Sequence, residues 1–150
     1  MPRILRETCT KEFVVIGPGP QVKIIQNLQR DTKGAVKHIY GVPRHEALRM
    51  IAESYYAYTP VVVGGWGFIG DCWSVKTPLV MSHNDNYVIN NVNALVSKNC
   101  DSLISNINTL YDSEECYEAL IQNGLEESNK RTAKAVANKL HKIFQKTVDH

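Results

Sequence analysis

The turns and side chains able to carry chemistry cluster in residues 59–82, TPVVVGGWGFIGDCWSVKTPLVMS. Gly64, Gly65 and Gly67 punctuate this stretch, and Asp71 follows within two helical turns. Glycines at a strand-to-helix turn let the backbone approach a ligand with no side chain between. A helix starting there points unpaired N–H groups outward, and such groups hold phosphates or hydroxyl-rich ligands. A carboxylate beside them adds an acceptor for ligand hydroxyls. A purely structural turn would use the same glycines, so the turn alone leaves both readings open. A second polar cluster, His83-Asn84-Asp85-Asn86, lies just beyond the next strand. A histidine with a carboxylate two residues on could act as a general base. Asn and Asp in a loop more often bond their own backbone, so turn formation is the preferred reading. His38 alternates with apolar neighbours and is expected in the core or at a sheet edge, not in catalysis.

Regular elements must position these groups. Val61, Val62 and Val63 form a β-branched run suited to a strand buried on both faces. A short helix follows the glycines, Thr77-Pro78 breaks it, and Leu79 to Met81 start another buried strand. Earlier, Glu12 to Gly17 reads as a strand and Gly17-Pro18-Gly19-Pro20 as a turn with Pro20 opening a helix. Val22 stands where a dinucleotide fingerprint needs its third glycine. Ile24, Ile25 and Leu28 give that helix an apolar face to about Arg30. Ala35 to Tyr40 alternates as a strand, and Gly41-Val42-Pro43 turns into a helix opening at His45-Glu46. Tyr55 and Tyr56 read as packing residues. From Asp101, a plausible N-cap, the chain is helical. Leu103, Ile104, Ile107, Leu110 and Tyr111 form one apolar stripe. Asp112 and Glu115 suggest a capping box for a second helix that closes at Asn123-Gly124. A last helix carries Val136, Leu140, Ile143 and Phe144 on one side. The alternation predicts a Rossmann-like, three-layer α/β/α sandwich with a mostly parallel sheet.

Composition narrows the function. The 150 residues are expected to form one domain, with residues 1–11 a flexible polar lead-in. A net charge of +2 gives no electrostatic footprint for nucleic acid. Cys9, Cys72, Cys100 and Cys116 show no metal-ligand spacing, so they read as free thiols of a reducing compartment and no metal is expected. No apolar run reaches the roughly 18 residues of a membrane span, and no signal peptide is visible. A cytoplasmic location is expected, with any membrane association made through a partner.

Four short motifs, in order, resemble the donor-binding, C-terminal domain of GT-B fold retaining glycosyltransferases of family 4. Gly17-Pro18-Gly19-Pro20 is similar to a Gly-x-Gly-Pro turn of that family, and Tyr40-Gly41-Val42-Pro43 to its turn against the nucleotide base. Gly65-Trp66-Gly67 matches a Gly-Phe-Gly turn, with Asp71 in place of a glutamate and Thr77-Pro78-Leu79-Val80 as the following strand. Asn91 to Val96 resembles a Val-Asn-Gly-Leu-Leu-Val segment with Ala94 for the glycine. The resemblance implies a nucleotide-diphosphate sugar as donor substrate and no separate cofactor. It implies that Asp71 holds the ribose, that Gly65, Trp66, Gly67 and Phe68 face the sugar and diphosphate, and that Tyr40, Gly41 and Val42 lie against the base. Asp reaches about 1.5 Å less far than Glu.

This chain also departs from the family. A first glutamate, which grips the donor sugar, is replaced by Gly64 or lost. An Arg and a Lys that hold the diphosphate, on a strand and helix preceding the Glu12 strand, have no counterpart. Each charge-assisted phosphate contact contributes about 1.5–3 kcal/mol, so the chain alone is expected to bind donor weakly and catalyse little. The expected partners are a nucleotide-sugar and an acceptor-domain chain or a second copy. The alternative is a non-catalytic α/β interaction module that has lost the donor site. A flavodoxin-like regulator would need an acidic cluster at the strand ends, for which only Asp71 and Asp85 are candidates.

Overall fold

The computed structural model describes residues 2–19, 21–60 and 66–148. The expected alternation is present: β1 (Phe13–Ile16), α2 (Val22–Asp31), β2 (Val36–Ile39), α3 (Arg44–Ala52), β3 (Ala57–Thr59), α4 (Trp66–Ser74), β4 (Leu79–Met81) and β5 (Leu95–Val96). The helices α5 (Cys100–Asp112), α6 (Glu114–Asn129) and α7 (Ala133–Val148) follow. The polar lead-in contains a helix, α1 (Pro2–Glu7), whose Ile4 is 2% exposed and packs into the core. The expected valine strand, Val61 to Val63, and Gly64 and Gly65 lie outside the described residues.

Among the described residues every strand pairing is parallel. Among the same residues the strands pair as β1-β2 and as β3-β4-β5. Alternation along β4 builds a core on each face of the second sheet. Leu79 and Met81 join Ile51, Ile69, Cys72 and Trp73 on one side. Val80 joins Ile4, Leu103, Ile107, Leu110 and Leu120 on the other. Helices α3 and α4 supply the first core, and α1, α5 and α6 supply the second, which makes the three layers.

Several helix boundaries differ from the sequence reading: α2 starts at Val22, Pro20, expected to open it, lying outside the described residues, and α3 starts at Arg44, one residue before His45. Helix α5 is capped by Asn99, not Asp101: Ser102 N–H donates to Asn99 Oδ1 (2.8 Å) and Asn99 N–H donates to Ser102 Oγ (3.1 Å). Asp101 instead pairs with Arg3. Helix α6 is capped by the Ser113 hydroxyl, which accepts from Cys116 N–H at 3.1 Å, so Asp112 stays in α5. Helix α6 also runs through Asn123-Gly124 to Asn129. Gly124 is there for packing: a Cβ would sit 2.4 Å from Trp73 Cδ1. Trp73 is held in turn by its indole N–H donating to Asn93 O at 2.9 Å.

Candidate functional site

Parallel strands send their C-terminal ends to one side, where ligands of open α/β sheets bind. Two connections meet on that side of this chain. The first is the β2-to-α3 turn, Tyr40-Gly41-Val42-Pro43, ending in Arg44 at the first position of α3. The second is the start of α4, whose second turn carries Asp71. The Arg44 guanidinium donates to Asp71 Oδ1 at 2.5 Å, joining two segments 27 residues apart. The Asp71 side chain is 24% exposed and Arg44 is 76% exposed, so the carboxylate sits at the base of the pair and the cation on top. Hydrogen bonding to Asp71 raises the Arg44 pKa, keeping the guanidinium charged.

The ground around this pair is open. Ideal Cβ atoms built at Gly41 and Gly67 meet nothing within 4 Å, so packing demands glycine at neither position. Tyr40 is 69% exposed, with its ring edge-on to His38 at 6.4 Å. Val42 lies in the same turn and Gly65 lies outside the described residues. Trp66 opens α4, and its ring stands in an aromatic cluster with Trp73 and Tyr87, at 6.0 and 5.4 Å. The Arg131 guanidinium covers Trp66 and Tyr87. Phe68 projects elsewhere, into a cleft beside β1 and β3. The turn at Tyr40 to Val42 and the carboxylate of Asp71 are therefore brought together through Arg44, while the rings of Trp66 and Phe68 diverge from them.

Arg44 is the residue that sequence reading missed. Its only local signal is its place just after Gly-Val-Pro, at the N-terminal residue of a helix. The polar cluster after β4 divides. Asp85 forms the expected turn, accepting from Tyr87 N–H at 3.2 Å. His83 Nδ1 is buried with no hydrogen-bond partner. Beside it Ser82 Oγ is 2.7 Å from Tyr58 OH. His38 is an edge histidine, its Nε2 3.0 Å from Gly17 O. Among the described residues, no cluster of His, Cys, Asp or Glu could hold a metal, and no helix is long and apolar enough to cross a membrane. The four cysteines are free, and burial pushes the Cys72 thiol far above its ordinary value.

No protein-family profile and no curated protein matches the chain. A solved structure, the pneumococcal O-GlcNAc transferase GtfA in complex with UDP and GlcNAc, does match in fold. The match has a TM-score of 0.70 and covers 93% of this chain at 12% identity. The chain spans 30% of that structure's length. At this identity the likeness shows a shared Rossmann-like α/β fold.

Proposed function

We propose that this chain is a nucleotide-sugar-binding domain of a retaining, family 4-like GT-B glycosyltransferase, inactive by itself and completed by an acceptor domain or partner. The observation that carries the proposal is the Arg44–Asp71 pair, which joins the Tyr40–Pro43 turn to the first turns of α4. The fold shared with a glycosyltransferase crystallised with UDP supports the same reading. Asp71 accepts hydrogen bonds from the ribose hydroxyls. Backbone N–H groups from Gly65 to Phe68 face the sugar and diphosphate, as helix N-termini favour anions. Tyr40, Gly41 and Val42 pack against the base. Arg44 leaves the carboxylate for the diphosphate and supplies a cationic contact to it. No residue of the chain serves as a nucleophile.

Calorimetry with uridine, guanosine and adenosine diphosphates tests the proposal. One nucleotide is expected to bind selectively, and Asp71→Ala to weaken it by about 1.5–3 kcal/mol, the range of a hydrogen bond to a charged group. Unchanged affinity in the variant removes Asp71 from the site. A second reading, a non-catalytic interaction module, is favoured by the same pair in another light: Arg44 already occupies the carboxylate. Absence of binding by every nucleotide at millimolar concentration decides for that reading.

A further inference from the structure

Helix α4 opens at Trp66. By helix geometry the N–H groups of its first turn, Gly67 and Phe68 among them, have no partner within the helix. A ligand held by such groups is bound more tightly when the turn is fixed beforehand, because less order is lost on binding. What fixes this turn is the packing of the Trp66 ring.

The ring is enclosed by residues far apart in sequence. It lies against Gly70, where a Cβ would come within 2.8 Å of Trp66 Cε2. Trp73 and Tyr87 meet it edge-on, at 6.0 and 5.4 Å. Over it stands the Arg131 guanidinium, 5.3 Å from the Trp66 ring centre and 4.5 Å from that of Tyr87. A cation within about 6 Å of a ring centre is attracted by the negative face of the ring.

Arg131 is itself held in place. It lies two residues past the end of α6, and its Nε and Nη2 donate to Glu127 Oε1 at 3.0 and 2.7 Å. The Glu127 side chain is 19% exposed and also accepts from Lys130 Nζ at 3.1 Å. These hydrogen bonds, that from Arg131 foremost, lower the Glu127 pKa and keep the carboxylate charged. A planar guanidinium can bond a carboxylate at its edge while its face lies on a ring, which a lysine ammonium cannot. Tyr87 is fixed from its own side: its N–H donates to Asp85 Oδ1 and its C=O accepts from Asn93 Nδ2. One side chain thus ties the end of α6, the 85–93 loop and the first residue of α4 together.

We infer that Arg131 is a positioning residue for nucleotide-sugar binding, on the reading above that α4 opens the donor site. It acts through Trp66. The guanidinium holds the ring, the ring holds the first turn of α4, and the turn aims the Gly67 and Phe68 N–H groups. The Trp66 ring, which points away from Tyr40 and Asp71, then serves the site from behind.

The test is a double-mutant cycle on the full chain. The readouts are calorimetric affinity for uridine, guanosine and adenosine diphosphates, and amide exchange by NMR. Arg131→Gln removes the charge, and Trp66→Leu removes the ring but keeps an apolar side chain. Each is expected to weaken the selected nucleotide by about fivefold or more. The double variant is expected to be no weaker than the weaker single variant, because both changes break one contact. Gly70 and Asp71 N–H groups bond back to the first turn of α4. In Arg131→Gln both are expected to exchange at least about fivefold faster, while slow exchange at Val80 reports an intact fold. Unchanged nucleotide affinity in Arg131→Gln overturns the inference and leaves the donor site standing. Additive losses in the double variant overturn it too, because Arg131 then acts apart from Trp66. So does weakened binding with unchanged exchange at Gly70 and Asp71. If the unaltered chain binds none of the nucleotides, the donor-site reading fails first and the role of Arg131 falls with it.

Discussion

Asp71 and Arg44 form an ion pair of unequal exposure, and that inequality sets how a ligand meets them. The exposed guanidinium can leave at little cost, since solvent-exposed ion pairs add little to stability. Asp71→Ala is therefore expected to change binding while leaving the urea midpoint nearly unchanged. That separation makes the variant a probe of the site. Tyr56 carries a different consequence at this scale. Burial pushes its phenol up to about 12, opposed by the hydrogen bond with Thr10. The neutral phenol is thus favoured in the folded chain, and its ordinary value of 10.0 applies when unfolded. A raised pKa means that this stability is fully present below pH 10 and is lost as pH climbs toward 12. Urea midpoints measured from pH 9 to 12 are expected to fall, and Tyr56→Phe to flatten part of that fall. An equal fall in the variant assigns the alkaline loss to other groups.

Among the elements, α6 gives the sharpest case of tertiary packing overriding a local signal. Asn-Gly commonly ends a helix. Here Asn123 donates instead to Val92 O at 2.9 Å, and Gly124 leaves room for Trp73. An alanine in a helix interior normally gains about 0.5–1 kcal/mol over glycine. At Gly124 its Cβ would press on the indole ring, which its bond to Asn93 O holds in place. Overpacking of that sort costs about 1–3 kcal/mol, so Gly124→Ala is expected to destabilise the chain on balance. A lower urea midpoint with an unchanged slope checks this, and a raised midpoint means that Trp73 moves aside. The caps of α5 and α6 follow the same lesson more mildly. Asn, Ser and Asp are all good N-caps, and the backbone chose Asn99 and Ser113 where the sequence offered Asp101 and Asp112.

Over the whole molecule, stability is unevenly spread. The β3-β4-β5 sheet has a core on each face, whereas α2 buries nothing and β1 is half-buried. Regions with few buried apolar contacts open locally before the rest. Hydrogen exchange is accordingly expected to be faster across residues 13–39 than across 79–81 and 100–121. Uniform exchange over both would mean that the chain unfolds as one unit. The candidate donor site spans this difference, since Tyr40 and Gly41 follow β2 while Asp71 lies on α4. A ligand bridging the two would steady the weaker part, and bound ligand stabilises by mass action.

Periodicity and turn residues alone determined the strands at Phe13, Val36 and Leu79, the helices between them, and the parallel α/β class. These depend on short-range patterns: strand against helix spacing of apolar residues, and glycine or proline at the breaks. The sequence also marked Asp71 and the Tyr40–Pro43 turn as a candidate site. Only the tertiary structure decided that Arg44 stands over Asp71, that α6 continues through Gly124, and that Ile4 is core. Each of these depends on a partner distant in sequence, such as Asp71 for Arg44 or Trp73 for Gly124, and local patterning carries no record of which distant residue will arrive.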